Sequence, residues 1–102
     1  MDIREFLKNN IVVLDGATGT ELQKVGLKVG ELPERWNVTY KDIQKNLHKS
    51  YYDVGRNIVS ANTFGANCLR FDDDELDRVI KCAIENVKKA RELSIGKQEM
   101  FV

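Results

Sequence analysis

The sequence predicts a parallel α/β fold, with short strands at residues 11–14 and 57–61 alternating with helices. Three observations predict it. Ile11-Val12-Val13-Leu14 is a brief apolar run, mostly β-branched, of the kind that forms a strand buried on both faces. Asn57-Ile58-Val59-Ser60-Ala61 repeats the pattern, and apolar residues at helical spacing lie between the two runs and after the second. Each run also ends in a polar, glycine-bearing loop, Asp15-Gly16-Ala17-Thr18-Gly19-Thr20 and Asn62-Thr63-Phe64-Gly65-Ala66-Asn67. Parallel α/β proteins build their sites at the carboxyl ends of strands, so both loops are expected at one pocket.

The elements follow in order. Ile3, Phe6 and Leu7 mark a short amphipathic helix before the first strand. After Gly19, Thr20–Val25 reads as a brief helix that Gly26 ends. Leu27 to Val38 is an irregular stretch with Gly30, Pro33 and the single tryptophan, Trp36. A loop of that length in a compact domain is usually functional or disordered. Trp36 reads either as a lid or pocket wall, or as a pin that fastens the loop to the body. Thr39 is a candidate N-cap, with Asp42 completing a weak capping box. Ile43, Leu47, Tyr51 and Val54 then fall on one helical face, and Gly55 takes the position after the cap. His48 lies beside that stripe and reads as a structural hydrogen-bonding group.

Asp72-Asp73-Asp74-Glu75 precede the clearest helix in the chain, whose stripe is Leu76, Val79, Ile80, Ala83, Ile84, Val87, Ala90 and Leu93. The four carboxylates are expected to cap that helix and complement its dipole, not to hold a metal. Gly96 is expected to break the helix, and Glu99-Met100-Phe101-Val102 starts a third apolar run. Two strands and the start of a third do not cover a parallel sheet. The chain therefore reads as the front part of a larger barrel or open α/β domain.

Composition removes several functional classes. Sixteen basic and 16 acidic side chains balance, which gives no field for nucleic acid or an anionic membrane. No apolar run approaches the roughly 20 residues that span a bilayer, and the first residues carry no signal-peptide core, so a cytoplasmic chain is expected. Cys68 and Cys82 have no CxxC spacing or neighbouring histidine, so neither zinc-ligand spacing nor a disulfide is expected. Cys82 falls on the helical stripe as a packing residue, and Cys68 reads as a small buried hydrophobe.

Four motifs in series carry a resemblance: Leu14-Asp15-Gly16-Ala17-Thr18-Gly19-Thr20-Glu21, Glu34-Arg35-Trp36-Asn37, His48-Lys49-Ser50-Tyr51 and Asn62-Thr63-Phe64-Gly65-Ala66-Asn67. Together they resemble the homocysteine S-methyltransferase family, over essentially the whole chain. The resemblance implies that residues 1–102 are the N-terminal portion of a (β/α)8 TIM barrel, about two βα units and the start of strand 3. It implies an enzyme that transfers a methyl group to homocysteine, whose thiolate is held by zinc. The zinc ligands of the family are three cysteines on later strands, two of them in a Gly-Gly-Cys-Cys-Gly stretch that is missing here. It also implies methylcobalamin or methyltetrahydrofolate as a methyl source, and no catalytic or metal-binding residue within this chain.

Residue by residue, the resemblance assigns Asp15 to the substrate ammonium, a charge-assisted pairing suited to an amino acid. Gly16 and its loop would bring backbone N–H groups to the substrate carboxylate, because a residue without Cβ permits close approach. Trp36 and Asn37 match positions on the pocket wall, and Thr63 and Phe64 match the rim from the second strand. The alternative for Asn62, Thr63 and Phe64 is a loop held by its own side-chain hydrogen bonds and a packed aromatic, and the pocket reading stands ahead of it because the family match and the strand-end location agree. The partner implied is homocysteine, together with the remainder of the barrel or a self-associated copy. A non-catalytic split subunit or remnant is the alternative. A phosphate- or nucleotide-binding module fits less well, since Gly16–Thr20 lacks the P-loop lysine and Asp15 would repel phosphate.

Overall fold

The longest element forms where the helical signal is strongest. In a computed structural model that describes all 102 residues, Asp72 has extended backbone and its carboxylate accepts the Glu75 N–H at 2.8 Å. That cap starts a 21-residue helix, Asp73–Leu93, with three carboxylates in its first turn. Four shorter helices precede it: α1, Ile3–Phe6; α2, Gly19–Lys24; α3, Trp36–Thr39, continuing a 3₁₀ turn at Pro33–Arg35; and α4, Lys41–Asp53. The long helix is therefore α5.

α5 buries Val79, Cys82, Ala83, Val87 and Ala90 as its spacing predicts. Val87 and Ala90 pack with Tyr52 of α4 and with Val59 into one apolar cluster. The helix stops at Leu93, three residues before the expected break at Gly96. The cause is Asp53, whose Oδ1 accepts both the Ser94 hydroxyl at 2.6 Å and the Ile95 N–H at 3.0 Å, which draws the chain off the helix.

α2 ends as expected at a glycine, Gly26, whose φ of 120° only glycine adopts readily. Gly55 plays the same part after α4 with φ 102°. The start of α4 differs from expectation. The Thr39 hydroxyl donates back to the Arg35 carbonyl at 3.1 Å within α3, and α4 begins at Lys41 without a side-chain cap. Its buried face differs too: the residues enclosed are Gln44, His48 and Tyr52, one position along from the apolar stripe, and Val54 is exposed. Ile43 and Leu47 pack instead on a second cluster of Leu22, Leu27 and Trp36.

The expected strands are reduced to single contacts. Leu14 forms an isolated parallel bridge with Ile58, and Ile58 forms another with Phe101, so three extended segments lie side by side with the second in the middle. Side chains stop the ladder in both directions. The next rung beyond Leu14 would take the Ser60 N–H to the Asp15 carbonyl, but Asp15 Oδ2 takes it at 3.0 Å. On the other side, Asn57 Oδ1 accepts the Val13 N–H at 3.1 Å and Asn57 Nδ2 donates to the Glu99 carbonyl at 3.0 Å. The regular structure is accordingly helical, with no continuous strand. The first segment is also not enclosed on both faces: Ile11 is 91% exposed and Leu14 58%, because no element of the chain packs over that edge. No helix is long and apolar enough to cross a membrane.

Candidate functional site

Asp15, which opens the first loop, reaches across to the second extended segment at Ser60. Its carboxylate is half-buried and accepts the Ser60 N–H, so a charged group stands at the seam between the segments. The Ser60 hydroxyl lies 3.5 Å from the other oxygen, at the limit of a hydrogen bond. Gly16 follows, exposed, with the ring of Tyr51 against it. A Cβ on Gly16 would stand 3.0 Å from the Tyr51 hydroxyl and 3.2 Å from Cε1. That hydroxyl donates to the Ala17 carbonyl at 2.7 Å. Burial pushes the Tyr51 pKa up, and the negative charges of Glu21 and Asp15 add to the effect, so the phenol stays a donor. No acceptor within the chain takes the backbone N–H of Gly16, Ala17 or Thr18.

The second loop turns tightly. The Thr63 N–H donates to the Ala61 carbonyl at 2.9 Å, and the Thr63 carbonyl accepts from Ala66 at 3.0 Å. Thr63 is half-buried, while the ring of Phe64 is wholly exposed. Asn62, just before them, is enclosed, and its Nδ2 faces Pro33 O and Asn37 Oδ1, both at 3.0 Å, and Gln44 Oε1 at 3.3 Å.

Trp36 and Asn37 lie in the interior rather than on an open wall. Trp36 is enclosed with Leu22 and Leu27, its Nε1 donates to Glu31 at 3.0 Å, and its ring meets Tyr40 with centroids 4.6 Å apart. Asn37 is completely buried. Its Nδ2 donates to Asn62 O at 2.9 Å and Val79 O at 3.3 Å, and its own carbonyl accepts from Asn86 at 3.0 Å. Asp15 reaches the second extended segment at Ser60, three residues before Thr63, while Asn37 is bonded to Asn62 at the start of the second loop.

Three contributors escape sequence reasoning. Ser60 reads as an ordinary strand residue, and Tyr51 as part of an apolar stripe. Glu34 is the third: it is buried, its carboxylate would collide with any Cβ on Gly65, and its Oε1 has no partner. Burial raises its pKa, with Arg70 opposing. Its only signal in the sequence is its place two residues before Trp36 in a family motif. His48, by contrast, is the structural group expected. It is enclosed, its Nε2 lies 3.0 Å from Gln44 Nε2, and burial lowers its pKa to about 4, so it is neutral at pH 7.

The largest concavity, about 360 Å³, lies elsewhere, between α3 and α5, lined by Arg35, Thr39, Asp72, Asp74, Glu75 and Arg78. It is an open charged groove crossed by the Arg35–Glu75 ion pair at 2.8 Å, and it shares no residue with the strand-end site. The two cysteines do not fit a zinc site. Cys82 is buried on α5. Cys68, expected to be buried, is exposed, because the Asn67 carbonyl and side chain turn residues 67–70 outward. No three His, Cys, Asp or Glu side chains converge anywhere in the chain.

The sequence profile of the family described as homocysteine S-methyltransferase matches residues 12–101. The chain belongs to the homocysteine S-methyltransferase family. Within this family it is similar to the methionine synthase of Mycobacterium tuberculosis (strain ATCC 25618 / H37Rv), with 33% identity over 85 residues, 76% of this chain and 7% of that protein. The methionine synthase of Mycobacterium leprae (strain TN) is 32% identical over 81 residues, 74% of this chain and again 7% of the relative. The chain therefore spans a small fraction of the curated relatives it matches. The matched region contains both strand-end loops.

Proposed function

We propose that this chain is the substrate-holding front part of a zinc-dependent homocysteine S-methyltransferase barrel of the methionine synthase type. The observation that carries the reading is the pairing at the seam: a half-buried Asp15 carboxylate followed by three backbone N–H groups with no acceptor in the chain. A carboxylate suits the ammonium of an α-amino acid and free N–H groups suit its carboxylate, so one loop offers both halves of a zwitterion. Thr63 and Phe64 rim the same end. Trp36 and Asn37, buried as they are, act on this reading by holding the loops.

The barrel and the domain boundary at residues 1–102 belong to the same proposal, supported by the parallel order of the three segments and the bare edge at Ile11 and Leu14. The zinc and the methyl source, methylcobalamin or methyltetrahydrofolate, fall to the remainder of the barrel and to other domains. The residues of this chain do not form a ligand set, and no chemical step is assigned to them. Their work is to bind and orient homocysteine. The exposed edge also favours a second reading, in which the chain is a non-catalytic piece completed by a partner or by a copy of itself. Concentration-dependent self-association in sedimentation experiments is the outcome that supports it.

Calorimetric titration of homocysteine into the chain and into Asp15→Asn tests the main reading. Measurable binding that the substitution abolishes is expected. Equal affinity of the two proteins would overturn the assignment of Asp15.

A further inference from the structure

Tyr51 touches the candidate loop twice. Its ring closes against Gly16, and its hydroxyl holds the Ala17 carbonyl at 2.7 Å. Both contacts come from α4, a 13-residue helix whose neighbouring residue Tyr52 is fully buried in the apolar cluster. The phenol is therefore anchored on a rigid element while the loop it touches is exposed.

The peptide between Ala17 and Thr18 is trans, and in a trans peptide the C=O and N–H point in opposite directions. Fixing the Ala17 carbonyl toward α4 therefore turns the Thr18 N–H away from α4. That N–H has no acceptor within the chain. We propose that Tyr51 is a positioning residue for substrate: its hydroxyl sets the Ala17–Thr18 peptide so that the Thr18 N–H faces the carboxylate of the bound amino acid. This rests on the homocysteine reading above and deepens it. Asp15 holds the ammonium end and is fixed independently by the Ser60 N–H. Tyr51 governs the carboxylate end alone.

That division supplies the test. Tyr51→Phe keeps the ring and removes only the hydroxyl. Binding of homocysteine and of 3-aminopropane-1-thiol, which has the amine and thiol but no carboxylate, is followed by amide NMR titration of the chain and its variants. Losing one oriented hydrogen-bonding peptide predicts a roughly five- to tenfold loss of homocysteine affinity in Tyr51→Phe, with the carboxylate-free amine unaffected. Asp15→Asn weakens both ligands. Gly16→Ala, whose Cβ would stand 3.0 Å from the phenol oxygen and press it a few tenths of an ångström away, gives a smaller loss of the same selectivity without altering Tyr51. Unchanged amide resonances in α5 show that each variant is folded. Equal weakening of both ligands by Tyr51→Phe reduces Tyr51 to a structural prop and overturns the proposal, as does undiminished homocysteine binding. If the unmodified chain binds homocysteine in no measurable way, the homocysteine reading itself fails, an outcome distinct from either.

Discussion

Helices α4 and α5 pack against each other, yet the balance of what they bury differs. α5 encloses Val79, Cys82, Ala83, Val87 and Ala90 with a single amide, Asn86, whereas α4 encloses two polar side chains, Gln44 and His48, beside Tyr52. The apolar residues of α4, Ile43 and Leu47, face sideways onto α2 and Trp36, and Tyr51 reaches the Gly16 loop. α5 is held mainly by exclusion of water from hydrocarbon, which is non-directional, with Asn37 bonded to it at Val79 O and Asn86. α4 is held by a chain of oriented bonds through Gln44, Asn62 and Asn37 that ends at the second loop. The difference places precision where it serves binding: the directional helix supports the site, and the apolar one supports that helix.

The comparison breaks most sharply at Asn37. Asn37→Ala removes three hydrogen bonds from a closed interior, those to Asn62 Nδ2, Asn62 O and Val79 O, although Asn62 Nδ2 keeps Pro33 O and Gln44 Oε1. A loss of about 3 kcal/mol in urea unfolding is expected, since each lost hydrogen bond contributes about 0.5–1.5 kcal/mol and the emptied space adds to it. Val87→Ala, in the apolar face, is expected to cost only about 2 kcal/mol from lost transfer energy and a small cavity. The reverse order would mean that the polar network adds little and that α4 is held by its apolar flank.

Acid sharpens the same contrast. His48 is enclosed as the neutral form with its pKa lowered from 6.5 to about 4, so the folded state binds a proton less readily than the unfolded one. Its contribution is intact above pH 6.5 and is lost as pH falls, reaching about 3 kcal/mol by pH 4. Asp53, lowered to about 2 chiefly by its bond with Lys49, also favours the folded state above its ordinary value and loses that effect as pH drops toward 2. Stability curves at pH 7 and pH 5 should therefore converge in His48→Gln and diverge in the unmodified chain. Parallel curves would show that His48 does not carry the acid sensitivity.

This contrast also explains what the sequence made legible. The body of α5 follows from spacing, because an apolar face repeats visibly at 3.6 residues, whereas its end at Leu93 depends on the distant Asp53. The buried face of α4 was misplaced by one residue because Gln44 and His48 look like surface groups until their partners are known. The two bond to each other, and Asn62, the further partner of Gln44, is distant in sequence. The strands suffered the same way. The bridging residues Leu14, Ile58 and Phe101 fall within the expected runs, but no strand forms, and nothing local reveals that the side chains of Asp15 and Asn57 occupy the neighbouring rungs. Asp15 and Gly16 stood out at a strand end, whereas Tyr51 and Glu34 act only through contacts that folding creates.

Glu34 offers the smallest and most discriminating effect, because it is the one polar group beneath the loops that lacks full pairing. Its Oε1 is buried beside Gly65 without a partner, and burial raises its pKa despite Arg70. The folded state therefore binds this proton more readily than the unfolded state. Its charge costs stability at high pH, and the cost fades as pH falls through the raised value. Glu34→Gln removes the charge and keeps the shape, so it should stabilise the chain by about 1 kcal/mol at pH 8 and by less at pH 5. In this it is opposite in sign to Asn37→Ala, although both residues lie under the same loop. Destabilisation of Glu34→Gln at every pH would mean that the carboxylate is needed as an acceptor for the Gly65 turn. The support under the second loop would then be a continuous set of satisfied bonds, and the contrast between the helices would extend to the whole underside of the site.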